Sequence, residues 1–485
     1  MTRRLPVTIG IIFALFLSGM EISVVGTAAP RIASELGGLG AFSWLFSIYL
    51  LTSTLTMPVW GRAADWLGRK HLLLFAIALF LFGNILCAIA PSMGFLIFGR
   101  AVKGLGGGGL VPIGFTIIAD LYDKAARAKI QGWLSSAWGM ASVIGPFVGG
   151  LLADTWGWRS VFWIPLIPGC VAFFLIGTGL KEKPKRLRSF DVSPASIITS
   201  SLAVGLFLLS LKAIQSGLLV VASGLMLLTV FAGLAFYKLE QQVTHPLIPT
   251  DLLKRRVFTN GCAAGFFASI LVIGLGSFVP LFFQTCYKYS ATASGLILVP
   301  FSLSWVLCGI ISARAMIKHD HRLMMIGGLT LTTFAFAIFL AYFDHLTPAL
   351  IIFLMIVMGA GMGFNYPVVL ISVQHDAPPE RVAFATAGLI WIRNIGATAG
   401  TTIMGVTMGV FLRVRAAHSK MAFTTPEEIL RPGALKQLAT DPLLAQALKH
   451  ALFLAFSLMG VAIALALIIT TWQFPRHQAL GQKQA

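Results

Sequence analysis

The feature that most constrains this chain is a series of long apolar stretches separated by short polar segments. A helix needs about 20 mostly apolar residues to cross the hydrocarbon core of a bilayer. Fourteen stretches reach this length: 7–30, 41–60, 71–91, 94–118, 129–153, 158–180, 193–213, 216–238, 257–284, 291–316, 322–343, 348–373, 383–411 and 447–472. They are continuous apolar runs, which favours membrane helices over a barrel of short alternating strands. The predicted fold class is therefore an all-α integral membrane protein with fourteen transmembrane helices.

Composition excludes most other classes. Hydrophobic residues make up 57% of the chain and charged residues 11%, and the mean hydropathy is +0.87. Soluble domains carry about 25% charged residues, so a soluble enzyme, a disulfide scaffold and a disordered chain are all excluded. The five cysteines show no metal-ligand spacing, and no nucleotide-binding motif occurs. We expect no metal, no cofactor and no enzymatic activity.

The net charge of +19 is explained by membrane orientation. Lys and Arg fall in short segments between the apolar runs, mostly in every second segment, and form no continuous basic stripe. This pattern places those segments in the cytoplasm and excludes a nucleic-acid partner. Because the number of runs is even, both termini are expected to be cytoplasmic.

The runs group as six, two and six. We predict an N-terminal six-helix bundle over 1–180, a linker with two inserted membrane helices over 181–256, and a C-terminal six-helix bundle over 257–485. The last unit includes an extracellular segment, 412–446. Two bundles of this kind place a substrate site at their interface near the middle of the membrane.

Charges inside the apolar runs are the first candidates for function, because a charge in the hydrocarbon core is costly and usually faces the protein interior. Glu21 is the single acidic residue placed within a run, whereas three basic residues, Arg100, Lys103 and Arg393, lie within runs. Glu21 and Arg100 lie at similar depth, so they can pair. Glu21 is expected to take up and release a proton, with Arg100 and Lys103 as its charge partners. The alternative is a salt bridge that only holds two helices together.

The segment GRAADWLGRK, residues 61–70, resembles the signature loop of the major facilitator superfamily, G-x-x-x-D-x-x-G-R-K/R. The resemblance implies a conformational latch on the cytoplasmic side. Its residues are Gly61, Asp65, Gly68, Arg69 and Lys70, with Asp120 expected to join the network.

Four further motifs are similar to those of the same superfamily. Segment 98–109 matches R-x-x-x-G through Arg100 and Gly104, with Lys103 where the family usually has Gln. Segment 139–150 matches the antiporter motif G-P-x-x-G-G, through Gly145, Pro146, Gly149 and Gly150. Weaker matches surround Glu21, which replaces the family's Asp, and Arg393. Together these resemblances indicate the fourteen-span drug:proton antiporter branch.

The resemblance implies a secondary transporter in a bacterial inner membrane that exports small hydrophobic or amphiphilic compounds in exchange for protons. A lipid or glycolipid translocator on the same fold and a non-transporting membrane sensor are the alternatives. Besides substrate, protons and membrane lipids are the expected partners, and a periplasmic accessory protein is left open.

Candidate cavity residues lie in several runs. They are Arg393, Asn394, Asn365, Trp138 and Trp391. Arg393 is suited equally to an anionic substrate group or to a backbone carbonyl. For the two asparagines, hydrogen bonds between helices are the alternative role.

Overall fold

The computed structural model describes residues 4–37, 41–122, 124–181, 194–215, 217–243, 250–316, 318–378, 381–418 and 442–474. Within these ranges the chain forms sixteen helices and no strand. The predicted linker segment 182–193 and the central part of the predicted extracellular segment, 419–441, lie outside the described residues.

The first seven helices belong to one bundle. They are α1 Arg4–Leu36, α2 Trp44–Leu67, α3 Arg69–Ala88, α4 Met93–Leu121, α5 Lys124–Thr155, α6 Ser160–Trp163 and α7 Leu166–Gly179. The apolar run predicted over 158–180 is thus divided between α6 and α7, next to Pro165. We call this bundle the first half.

The remaining helices form an inserted pair and a second bundle. The inserted pair is α8 Pro194–Gln215 and α9 Leu219–Gln242, followed by a short helix, α10 Thr250–Leu253. The second half comprises α11 Arg256–Cys286, α12 Ala291–Ala315, α13 His321–Ala341, α14 Pro348–Asp376, α15 Val382–His418 and α16 Pro442–Gln473. The predicted segment 412–446 therefore begins inside α15 and ends inside α16.

Helix lengths suit a bilayer. Among the described residues, eleven helical segments are long and apolar enough to cross a membrane, by length and composition. Shorter apolar helical stretches occupy Trp44–Met57, Val143–Thr155 and Ala195–Leu211.

Local capping fixes where several helices begin. The hydroxyl groups of Ser92, Ser290 and Thr347 accept hydrogen bonds from the backbone N–H three residues later, at 3.1–3.3 Å. Asp320 caps α13 by accepting a bond from the N–H of Arg322 at 2.8 Å. These are the residue types that satisfy the free N–H groups of a helix start.

The helix ends define two faces. The Tyr122 hydroxyl, just after α4, forms a hydrogen bond with the Thr8 hydroxyl near the start of α1. The carbonyl of Gln473, at the end of α16, accepts a hydrogen bond from Asn260 near the start of α11. Since α1 and α11 run parallel, with Gln284 donating to the carbonyl of Thr27, α1 begins and α16 ends at the same face. We call it the terminal face, and the other the opposite face.

The two halves meet along two seams and a central contact. Helices α5 and α12 form one seam, α2 and α15 form the other, and α1 packs on α11 between them. The inserted helix α8 packs on both α2 and α15, and α9 packs on α8. Much of α9 presents apolar side chains outward, as expected of a helix in contact with lipid.

Candidate functional site

A buried ion cluster joins α1 to α4 in the first half. The Glu21 carboxylate forms ion pairs with the Arg100 guanidinium and the Lys103 ammonium. The three residues are 4%, 0% and 1% exposed. Arg100 and Lys103 lie three positions apart on α4, which places them on the same face of that helix, as neighbours one turn apart. The pairing of Glu21 and Arg100 that their similar depth allows is therefore present in the structure.

Each cation of the cluster has a further partner. The Nε of Arg100 donates to the backbone carbonyl of Leu45 on α2, at 2.6 Å, and the guanidinium lies 5.0 Å from the ring centroid of Tyr49. The Nζ of Lys103 donates to Oδ1 of Asn84 on α3, at 2.7 Å. A hydrogen bond between helices is the expected role of an asparagine in an apolar run, but the sequence gives no signal that Lys103 is the partner of Asn84.

Aromatic rings complete the surroundings of Lys103. Its Nζ lies 4.8 Å from the ring centroid of Phe80 and 5.4 Å from that of Phe162, within cation–π range. A Cβ at Gly83 would overlap the backbone of Lys103. The glycine therefore permits the close approach of α3 to α4 that brings Asn84 to the ammonium.

A small cavity touches the cluster. It has a volume of about 10 Å³, and Glu21 and Lys103 form part of its wall with apolar residues of α1 and of the α6–α7 region. This is room for about one water molecule. The cluster therefore lies in the interior of the first half, in a space too small for an organic substrate.

The predicted latch is described in part. Arg69, at the start of α3, forms an ion pair with Asp120 at the end of α4, both at the terminal face. Gly68 has a φ of 92°, a left-handed conformation that favours glycine, and it lies between α2 and α3. Gly61 lies within α2, the side chain of Asp65 is outside the described part, and Lys70, next to Arg69, is half-buried.

The glycines of the predicted antiporter motif lie where α5 contacts two other helices. A Cβ at Gly145 would overlap the side chain of Ser23 on α1, and one at Gly149 would lie 2.6 Å from the carbonyl oxygen of Val24. A Cβ at Gly150 would overlap the backbone of Ala291 on α12, in the second half. Pro146 lies inside α5, and its carbonyl faces Gly295 of α12. The motif therefore packs α5 tightly against α1 of its own half and against α12 of the second half.

A carboxylate after this motif bridges the halves at the opposite face. Asp154 accepts hydrogen bonds from the N–H of Ala291 at 3.3 Å and from the N–H and hydroxyl of Thr292 at 2.7 and 2.6 Å. It also pairs with Arg31 at 3.0 Å. Asp154 thus caps the start of α12 from the other half. Its place directly after the run 129–153 is the available sequence signal, and that signal by itself indicates only a charge at the end of a helix.

Asp154 lies just beyond the predicted run 129–153, and its carboxylate is partly exposed while it accepts these hydrogen bonds. Burial raises the pKa of Asp154, and the Thr292 hydrogen bonds and the Arg31 charge lower it by more. The net result is a pKa below its ordinary value of 3.8.

The second half buries one of the predicted cavity residues in a different setting. The guanidinium of Arg393 lies 3.7 Å from the ring centroid of Tyr366, and its Nη2 donates to the Tyr366 carbonyl at 2.9 Å. The hydroxyl groups of Tyr366 and Ser269 form a hydrogen bond, with 2.8 Å between the oxygens. In the described part of the chain, Arg393 has no acidic partner, and its Nε has no hydrogen-bond acceptor. Of its two expected roles, contact with a backbone carbonyl is present.

The other predicted cavity residues are dispersed. The indole of Trp391 donates to the carbonyl of Thr54 on α2 at 3.2 Å, across the seam between the halves. Asn365 is fully buried, and neither its amide nitrogen nor its oxygen has a partner among the described residues. Asn394 is half-buried. The side chain of Trp138 lies outside the described part.

No group of three or more His, Cys, Asp or Glu residues suited to a metal ion occurs within the described ranges.

Sequence relatives of this chain are named as drug transporters. The chain is 34% identical over 415 residues to the multidrug transporter protein MdtP of Bacillus subtilis, covering 84% of this chain and 76% of that protein. It is 30% identical to multidrug resistance protein 3 of the same species, over 95% of this chain and 93% of that one. The efflux pump dotC of Dothistroma septosporum is also 30% identical, over 82% of this chain and 70% of that one.

Solved structures share the fold. A bacterial homologue of the human lysosomal transporter Spinster, in an inward-facing and occupied conformation, matches with a TM-score of 0.68 and 14% identity, over 97% of each chain. A D-xylose–proton symporter matches with a TM-score of 0.64 and 14% identity, over 99% of this chain and all of that one. The Major Facilitator Superfamily model matches residues 11–401. The chain is a multi-pass integral membrane protein and belongs to the Major Facilitator Superfamily, a family of transporters and not of enzymes.

Proposed function

We propose that this protein exports small hydrophobic or amphiphilic compounds in exchange for protons, as a member of the fourteen-span drug:proton antiporter branch. The observation that carries the proposal is the buried cluster of Glu21, Arg100 and Lys103. A cluster of ionisable side chains buried among membrane helices, adjoining a water-sized cavity, is suited to binding and releasing a proton. The names of the bacterial relatives support drug-type cargo.

Proton and cargo occupy different places in this proposal. The cluster lies inside the first half, and its cavity excludes an organic molecule. Cargo binds between the two bundles, where Arg393, Asn365 and Asn394 of the second half and Trp138 and Trp391 are the assigned contact candidates. Coupling then passes through α1, because the helix that carries Glu21 also packs on α11 of the second half.

The two faces are assigned to opposite sides of the membrane. We place the terminal face, with the Arg69–Asp120 latch, in the cytoplasm of a bacterial cell, and the opposite face, with Asp154, outside. In this assignment, Asp154 and the glycines of α5 hold the outer side closed while cargo enters from the cytoplasm or the inner leaflet. The domain organisation of six, two and six helices belongs to the same proposal.

Transport in proteoliposomes tests this function. Purified protein is reconstituted, a pH gradient is imposed, and the movement of Hoechst 33342, ethidium and a fluorescent phospholipid is followed in parallel. The proposal predicts gradient-dependent movement of at least one dye that ceases when a protonophore collapses the gradient. Dye movement that is indifferent to the gradient contradicts antiport. Movement of the phospholipid alone favours a lipid translocator, and no movement of any probe favours a sensor.

A matched pair of charge variants completes the design. Lys103→Gln is compared with Lys318→Gln, which removes an exposed lysine just after α12. Loss of gradient dependence in the first variant with retention in the second assigns proton coupling to the cluster. Equal loss in both would contradict that assignment.

A further inference from the structure

The charges of the buried cluster do not cancel. Arg100 and Lys103 both form ion pairs with the single carboxylate of Glu21. With all three groups ionised, the cluster carries one net positive charge, held by residues that are almost fully buried. A net charge is costly to keep away from water.

The other groups that face Lys103 do not neutralise this charge. From α3 come the amide oxygen of Asn84 and the ring of Phe80, from α6 the ring of Phe162, and from α4 itself the cation of Arg100. Cys87 on α3 is the other titratable neighbour. These contacts are dipoles, rings and a thiol, so within the described residues Glu21 is the sole acid that the two cations share.

The cluster has two ways to change its protonation. If Glu21 takes up a proton, two buried cations face each other without an anion, and the net charge rises to two. If Lys103 loses a proton, Glu21 and Arg100 remain as a neutral pair. Arg100 is not a candidate, because a guanidinium keeps its proton in proteins. Of the two changes, the second removes the unbalanced charge and the first doubles it.

We propose that Lys103, and not Glu21, carries the exchanged proton in this transporter. Its ammonium Nζ transfers H⁺ to water in the adjoining cavity, and the electron pair of the broken N–H bond stays on the neutral amine. That amine keeps its hydrogen bond to Oδ1 of Asn84, and Glu21 stays paired with Arg100. Uptake of H⁺ from the outer solution restores the ammonium. The role in transport rests on the proposed function, whereas the titration of Lys103 does not.

A substrate-free experiment tests the titration directly. Thermal stability of the purified full chain in detergent is measured from pH 5 to 10 for the wild type, Lys103→Gln, Lys103→Arg and Glu21→Gln. An unfolded-chain lysine holds its proton up to about pH 10.4. Where the folded state has already released it, the unfolded state binds one proton more, and stability rises with pH. The wild type and the Lys318→Gln control are expected to show this rise.

The variants give opposite results under the two assignments. Both substitutions of Lys103 are expected to remove the rise, whereas Glu21→Gln keeps it at a lower pH, because the ammonium has lost its anion. A rise that persists in Lys103→Gln and disappears in Glu21→Gln overturns the proposal. If Lys103→Gln does not fold, Asn84→Asp replaces it. A second carboxylate beside Nζ is expected to move the rise of thermal stability to higher pH. A rise at the same pH as in the wild type overturns the proposal.

Transport then connects the titration to exchange. In proteoliposomes with a pH gradient, gradient-driven accumulation of Hoechst 33342 is expected to fall at least tenfold in Lys103→Arg and to be retained in Lys318→Gln, which removes an exposed lysine. Accumulation in Lys103→Arg that equals the wild type overturns the proposal. If the wild type moves no probe, the proposed function fails, and the stability profiles still report whether Lys103 titrates.

Discussion

The two halves of the molecule bury their cations in different ways. In the first half, Arg100 and Lys103 share the carboxylate of Glu21. In the second half, Arg393 lies on the ring of Tyr366 and donates to its carbonyl, with no acid beside it in the described structure. A carboxylate and an amine can gain or lose protons, whereas a ring face and a backbone carbonyl cannot. The comparison separates a half suited to proton exchange from a half with a fixed charge.

The largest expected effect comes from removing the acid that distinguishes the first half. Glu21→Ala leaves two buried cations without an anion, and breaking a buried pair in this way costs about 3–5 kcal/mol. Thermal unfolding in detergent measures this loss. The double variant Glu21→Gln/Lys103→Gln restores the net charge of the wild type and is expected to be more stable than Glu21→Ala. A double variant that is equally destabilised would show that packing, and not charge, holds the cluster.

A second prediction concerns the seam where the two halves meet. Gly295→Ala would place a Cβ against the carbonyl of Pro146, and overpacking of this kind costs about 1–3 kcal/mol. The halves are expected to separate at the opposite face, measured as greater reactivity of a cysteine introduced at Thr292. Gly224→Ala is the matched control, because a Cβ at that position on α9 meets nothing within 4 Å. Equal reactivity in the two variants would contradict the close packing of α5 on α12.

The fixed charge of the second half predicts an effect on cargo without an effect on protons. Arg393→Gln is expected to change the KM for an anionic dye, anilinonaphthalene sulfonate, by about tenfold, or 1.4 kcal/mol. The pH dependence of transport should stay as in the wild type, since neither side chain titrates. Arg314→Gln, at an exposed position of α12, controls for surface charge. A displaced pH profile in Arg393→Gln would remove the distinction between the halves.

The smallest effect is expected at Asp154, which lies in the first half and is hydrogen-bonded to the start of α12 in the second half. Asp154→Asn keeps one acceptor oxygen and loses the charge, at a cost of about 1 kcal/mol. Because the folded-state pKa of Asp154 lies below 3.8, its contribution is complete above that value and is lost as pH falls through the folded pKa. Stability measured from pH 6 to 3 should therefore decline more in the wild type than in the variant. Parallel curves would show that the Asp154 charge contributes nothing to the closed seam.

The sequence predicts those features of the fold and the site that depend only on residue type and on how far a residue lies within an apolar run. Glu21 and Arg100 are recognisable because charges are rare in apolar runs, and the order of the glycines around Pro146 indicates a close helix contact. The helical class follows from run length in the same way. These properties are local, so one sequence is sufficient for them.

The rest depends on which faces of distant helices meet. Asn84 bonds to Lys103 because Gly83 lets α3 approach α4, and no spacing in either helix encodes that distance. The stacking of Arg393 on Tyr366 joins residues 27 positions apart on two helices. The position of α8 against α2 and α15 is equally non-local, because the sequence of an apolar run does not indicate which helices it packs against.

The inserted pair has a mechanical consequence. At one seam α5 and α12 touch each other directly, whereas at the other α8 lies against both α2 and α15, with apolar contacts from Val204 and Leu211 to Val406. Any rotation that parts α2 from α15 must slide or bend a third helix, and rotation at α5–α12 need not. In the proposed transport cycle, we therefore expect the α2–α15 side to resist opening more than the α5–α12 side.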